Sequence, residues 1–270
     1  MRKRIALCIL LVSGLVLVAL GPAAADRTLT VFGAASLTEF LQAAKPVFEK
    51  AHPEVTVLLN LAASSRCRIQ IEHGAPCEVF LSANTKNMEP LVEAGIARDP
   101  IVFAHNKVVI IAPRSNPGGL QTPADLAKPG LKLVTCSPEV PIGRYTRTAI
   151  EKMAASGDYG DRFKQRVLAN VVSEEPNVKG IVAKVLLGEA DGGMCYASDV
   201  TAAVRPKVKT IGIPEEANVV ADYPIAVLNG GSEDALAETF VEFVLSEEGQ
   251  KLLAHHGFIP LGPPKQGSAG

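Results

Sequence analysis

An α/β fold, with mostly parallel sheets covered by helices on both faces, is what this sequence predicts. Two observations carry that reading. Short runs rich in β-branched and aromatic residues alternate with helix-period patterns almost throughout, and the segments are punctuated by Gly, Pro and small capping residues. Neither an internal repeat nor a low-complexity linker interrupts the alternation.

In chain order, TLTVF (residues 28–32) reads as a strand, and 37–51 as a helix. Residues 55–60 (VTVLLN) are a strand, 65–73 a helix, and 79–82 a strand. The pattern over 88–94 is helical and stops at Gly95, a good helix terminator. Residues 108–112 form a strand closed by Pro113, and 131–135 another, followed by a helix from 142 to about 155. A helix over 178–187 ends at Gly188, and strands follow at 192–196 and 225–228. Helices over 233–245 and 248–255 complete the set.

Ahead of these elements the chain begins MRKRIALCILLVSGLVLVALGPAAADRT. A basic start, an apolar run shorter than the ~20 residues of a spanning helix, and Ala23-Ala24-Ala25 predict a secretory signal peptide over residues 1–25, cleaved after Ala25. The alternative is an uncleaved anchor. Losing Arg2, Lys3 and Arg4 takes Lys plus Arg from 27 to 24 against 28 Asp plus Glu, a net charge of −4. That excludes a nucleic-acid binder, whose affinity rests on basic surface. Any anionic ligand must be held by a local device.

Cys67, Cys77, Cys136 and Cys195 remain after cleavage. An exported chain permits disulfides, and four cysteines allow three pairings. Cys136 and Cys195 lie near predicted strand ends and are the first pair to test, against four buried free thiols. Zinc is not expected, because no C-x-x-C or H-x-x-x-H spacing occurs.

Four helix starts stand out. Gly33, Ala34, Ala35 and Ser36 precede the first helix, where Ser36-Leu-Thr-Glu39 matches a capping box. Ala62-Ala63-Ser64-Ser65 precede the second, Pro141 opens the helix near Ile142, and Asn177 is a cap before Val178. Helix starts present free N–H groups and positive dipole ends. In open α/β sheets ligands bind beyond the carboxyl ends of the strands. Converging there, these starts would form an anion cage.

The segments VFGAASLTEFLQAAKPVFEKAHPEV, QIEHGAPCEVFLSA, SPEVPIGRYTRTAIEKM, GEADGGMCYASDV, YPIAVLNG and LSEEGQKLLAHHGF together resemble the periplasmic molybdate-binding proteins of ABC transporters, in order and over essentially all of the chain after residue 25. The resemblance implies a two-lobed, type II-like periplasmic-binding-protein fold with a hinge, lobe one from residues 26–105 and 214–270, lobe two from 106–213. It implies that molybdate or tungstate sits between the lobes on neutral donors. Ser36 and Ser64 would give hydroxyl and backbone N–H, Ile142 and Val178 backbone N–H, and Tyr196 its phenolic O–H. Molybdenum would be bound only as molybdate, without direct side-chain ligation and with no further cofactor. It further implies a monomer in the periplasm that hands its anion to an inner-membrane ABC permease, where Glu39, Glu49 and Arg147 are candidate contacts.

Ile142 replaces a residue that is often Ala in that family, and Arg66, Arg68 and Arg144 lie close to the expected donors. An inward arginine would charge the site; the alternative is three solvent-facing side chains. A binding protein for sulfate or phosphate is the nearest rival reading. A secreted hydrolase is more distant, since no G-x-S-x-G elbow or G-x-x-x-x-G-K loop is present.

Overall fold

A computed structural model describes residues 27–231 and 233–261; the proposed signal peptide and its cleavage point lie outside them. In chain order the elements are β1 (Arg27–Ala34), α1 (Thr38–Ala51), β2 (Val55–Ala62), α2 (Ser64–Glu72), β3 (Val79–Leu81), α3 (Glu89–Glu93), β4 (Ala97–Pro113), β5 (Leu133–Cys136), α4 (Pro141–Ala155), α5 (Phe163–Ala169), β6 (Val171–Glu175), α6 (Val178–Leu186), β7 (Gly192–Tyr196), β8 (Val208–Gly212), β9 (Val220–Leu228), α7 (Asp234–Leu245), α8 (Glu247–His255) and β10 (Ile259–Pro260).

The strands lie in the order β2-β1-β3-β9-β4-β7-β5-β6, with β8 and β10 also paired to β4. Two parallel groups, β2-β1-β3 and β6-β5-β7, are joined through antiparallel β9 and β4. The long β4 belongs to both halves. Its first part pairs with β9 as far as Lys107 opposite Val220, and from Val108 it pairs with β7 and β8. Register shifts between Arg98 and Ala104 bend its first part.

β3, β5 and β7 are buried at every position, as expected of strands with helices on both faces. Helix α1 turns Phe40, Leu41, Ala44 and Phe48 inward, the spacing of a single helical stripe. Phe48 meets Phe240 of α7 edge-on at 5.1 Å. One apolar core runs through both halves, and a smaller one gathers around Phe32, Cys67, Ile71, Cys77 and Phe80.

Strand β4 is far longer than residues 108–112, and β9 starts before 225. Helix α5 and strands β6, β8 and β10 were not anticipated. The missing stretches are half-exposed: β6 reads intermediate, exposed, intermediate along VVSEE, so it lacks the apolar run that marks a buried strand. The four cysteines are buried free thiols, so Cys136 and Cys195 are not joined although they end neighbouring strands.

Candidate functional site: a small cavity at six strand ends

Each parallel strand delivers its carboxyl end to one place. Ala34, Ala35 and Ser36 follow β1, Ala63 and Ser64 follow β2, and Ala83 follows β3. From the other half come Val140, Pro141 and Ile142 after β5, Asn177 and Val178 after β6, and Tyr196 at the end of β7. These residues line one small cavity. All five residues named from the sequence, Ser36, Ser64, Ile142, Val178 and Tyr196, are in this lining, and each is buried.

The lining contains no charged side chain. Arg66 is exposed, and Arg68 turns away to Glu72 and Asn87. Arg144 is half-buried outside the lining. The cavity is therefore a set of neutral groups.

Local chemistry explains how the donors are set. Asn177 caps α6 by accepting from the Lys179 N–H at 3.0 Å. That leaves Val178, the first helical residue, with an N–H that no carbonyl of its own helix can reach. Pro141 takes the first position of α4, where its missing N–H costs nothing, and Ile142 follows with a first-turn N–H. Gly143 has to be glycine: a Cβ there would lie 2.1 Å from the Ser137 carbonyl oxygen and 2.4 Å from that of Cys136. Its absence lets α4 start directly against the end of β5.

Ser64 Oγ accepts the Ala83 N–H at 2.9 Å. A backbone N–H only donates, so the Ser64 hydroxyl hydrogen is left for the cavity. Tyr196 is 1 % exposed and its hydroxyl has no partner. An unmade hydrogen bond at a buried hydroxyl is costly, and here it belongs to a cavity-lining side chain. Burial, with Tyr223 and Tyr145 beside it, pushes the Tyr196 phenol well above its ordinary range. It stays protonated and can donate.

The expected capping box does not form. Ser36 sits in a 3₁₀ turn, Ala35–Leu37, before α1, without a side-chain cap. Its Oγ instead meets the Tyr223 hydroxyl at 2.9 Å. Glu39 reaches away from Ser36 and accepts from Lys179 Nζ at 2.6 Å. Tertiary partners have displaced the local reciprocal bond.

Three side chains that sequence reasoning missed support the site. Lys179, next to Val178, pairs with Glu39 and, at 3.1 Å, with buried Asp199. Asp199 accepts the Tyr196 N–H at 3.1 Å, which holds the tyrosine at the end of β7. Tyr145 of α4 donates to the Ala83 carbonyl at 3.3 Å, tying the second half to the loop after β3. The SD of YASD and the Y of VPIGRY were the available signals. Among the described residues no cluster of His, Cys, Asp and Glu is arranged to hold a metal ion. No described helix is long and apolar enough to cross a membrane.

Comparison with known proteins gives the chain's relatives and fold neighbours. The chain is 38 % identical over 239 residues to the molybdate-binding protein ModA of Mycobacterium tuberculosis (strain H37Rv), covering 88 % of this chain and 87 % of that protein. Its fold is similar to the periplasmic molybdate-binding protein of Azotobacter vinelandii, with a TM-score of 0.75 at 20 % identity, covering 87 % of this chain and all of that one. It is also similar to the sulfate-binding protein SubI of M. tuberculosis H37Rv, with a TM-score of 0.78 at 20 % identity, covering 88 % of each chain; at such identity these two likenesses concern the fold alone. Residues 29–259 match the family described as bacterial extracellular solute-binding protein, and the chain belongs to that family.

Proposed function

We propose that this chain captures molybdate, or the nearly isosteric tungstate, between its two halves and delivers it to an ABC permease. The observation that carries the reading is a small cavity ringed by neutral donors: hydroxyls of Ser36, Ser64 and Tyr196 and first-turn N–H groups of Ile142 and Val178. The 38 % identity to a molybdate-binding protein supports the choice of anion.

The physical logic favours an unprotonated dianion. Hydrogen bonds to an anion are charge-assisted and strong. First-turn N–H groups are held by the fold, so little ordering cost falls on binding. Hydrogen phosphate would turn an O–H toward a donor and leave both unsatisfied. Sulfate carries no such proton and is discriminated by its shorter bonds, which cannot reach every donor of a larger cage.

The chain acts as a carrier and not as an enzyme in this reading: no nucleophile–base pair lines the cavity. It works in the periplasm as a monomer after cleavage following Ala25. Residues 26–105 with 214–270 form one lobe and 106–213 the other, hinged where β4 and the segment between β8 and β9 pass between the halves. The test is thermal unfolding of the protein with molybdate, tungstate, sulfate or phosphate. A ligand at a hundred times its Kd adds about 2.7 kcal/mol, a rise of roughly 5–11 °C for a chain of this size. Molybdate and tungstate alone should produce it. A rise with sulfate or phosphate instead would reassign the ligand.

A further inference from the structure

Tyr223 meets the cavity lining at two residues, packing edge-on against Tyr196 and bonding through its hydroxyl to Ser36, and it lies at the end of an ordered chain of groups. Asn106 Oδ1 accepts the Lys107 N–H at 3.0 Å. That backbone donor fixes which end of the amide is which. Asn106 Nδ2 therefore faces two oxygens, Ser198 Oγ at 2.8 Å and Tyr223 Oη at 3.5 Å. An amide NH2 can only donate. With its oxygen turned to that donor, Tyr223 has its own hydrogen free for Ser36 Oγ, 2.9 Å away. Burial holds the Tyr223 phenol well above its ordinary range, so this hydrogen is retained.

The two serines of the site are thus treated alike. Ser64 receives a hydrogen from the Ala83 N–H, and Ser36 pairs with the Tyr223 hydroxyl, which the facing Asn106 amide leaves placed to donate. With Tyr223 as the donor, each serine oxygen accepts from within the protein and keeps its single hydrogen for the cavity. Ser64 owes this to the backbone. Ser36 has no backbone donor on its oxygen, so a side chain 187 residues away supplies one.

We propose that Tyr223 is a positioning residue that fixes Ser36 as a hydrogen-bond donor, and thereby makes the site selective for an oxyanion whose facing oxygen carries no proton. The inference rests on the oxyanion-cage reading and deepens it. Without the Tyr223 hydrogen, Ser36 can rotate and accept, and a protonated anion is no longer penalised there.

The experiment is calorimetric titration of wild type, Tyr223→Phe, Ser36→Ala and the double variant with molybdate, and of wild type and Tyr223→Phe with inorganic phosphate. Phe keeps the ring packed edge-on against Phe258 at 5.3 Å, Tyr196 at 5.8 Å and Phe103 at 6.3 Å. Tyr223→Phe should weaken molybdate roughly three- to tenfold, the scale of one hydrogen bond, and narrow the molybdate-to-phosphate ratio. The double variant should match Ser36→Ala within about twofold, because the hydroxyl that Tyr223→Phe removes is bonded to Ser36 while the ring contact with Tyr196 is kept. Independent effects that multiply, or an unchanged selectivity, overturn the proposal. If Tyr223→Phe folds poorly, Asn106→Ser, which removes the amide facing the Tyr223 oxygen, enters the same cycle with the same outcomes. Failure of wild type to bind molybdate would instead refute the ligand assignment and is read separately.

Discussion

Lys179 of α6 and Glu39 of α1 meet, Nζ to Oε2, at 2.6 Å. Each lies beside a proposed anion donor: Lys179 follows Val178, and Glu39 is three residues beyond Ser36. The pair joins an element of one half to an element of the other. Burial opposes the Lys179 charge, but Asp199 and Glu39 outweigh it, and its pKa is raised.

Glu39→Gln should therefore loosen the closed form without unfolding it. Both side chains are about one-third exposed, so solvent screening limits the effect to under about 1 kcal/mol of molybdate affinity. A calorimetric series in rising salt checks it, with wild type and variant converging at high ionic strength.

Lys179→Met should cost more, because it strands the buried Asp199 carboxylate. The direct cost is about 1–3 kcal/mol after discounting the exposure of Lys179. It should be larger at pH 8 than at pH 5. Urea denaturation at the two pH values measures it, and an equal loss at both would remove Asp199 from the explanation.

Asp199 gives a pH signature of its own. Burial raises its pKa to about 6, with Lys179 and the Tyr196 N–H pulling the other way and Glu39 adding to the rise. A carboxyl raised on folding binds its proton more tightly in the native state. Its contribution to stability is thus fullest below the ordinary carboxylate range and falls as pH climbs to about 6. Asp199→Asn removes that slope. The stability of wild type relative to this variant should fall by on the order of 2–3 kcal/mol between pH 4 and pH 6.5, and a flat difference would contradict it.

Gly143→Ala tests the close approach at the start of α4. The added methyl meets two backbone carbonyl oxygens rather than a flexible side chain, so α4 must move outward. We expect a loss of about 1–3 kcal/mol in unfolding free energy. Molybdate affinity should also weaken, since the Ile142 N–H moves with the helix. Urea denaturation and calorimetry read the two effects.

The thiols should be silent in the native protein. Burial pushes Cys67 up to about 11 and Cys136 up to about 12, and Cys195 rises well above its ordinary range. Thiolate is the reactive form. At pH 8 an aromatic disulfide reagent should label none of Cys67, Cys136 and Cys195 until denaturant is added; rapid native labelling of any would show that it opens to solvent.

Local chemistry was legible in the chain. Asn177 before VKG, Pro141 before IG, and the small residues before Ser36 and Ser64 are short-range signals, and each stands where a first-turn N–H or hydroxyl lines the cavity. The buried runs of β3, β5 and β7 were equally plain, because a strand covered on both faces must be apolar along its length. What lay beyond reach was partnership. Ser36-Leu-Thr-Glu39 satisfies the capping-box pattern, yet Tyr223 and Lys179, 187 and 140 residues distant, take the two side chains instead. The outward course of Arg66 and Arg68, the burial of Asp199 and the passage of β4 through both halves are of the same kind. Helix starts and strand runs follow from residues a few positions apart. The hydrogen-bond partner of a buried hydroxyl depends on which distant strand the fold lays beside it.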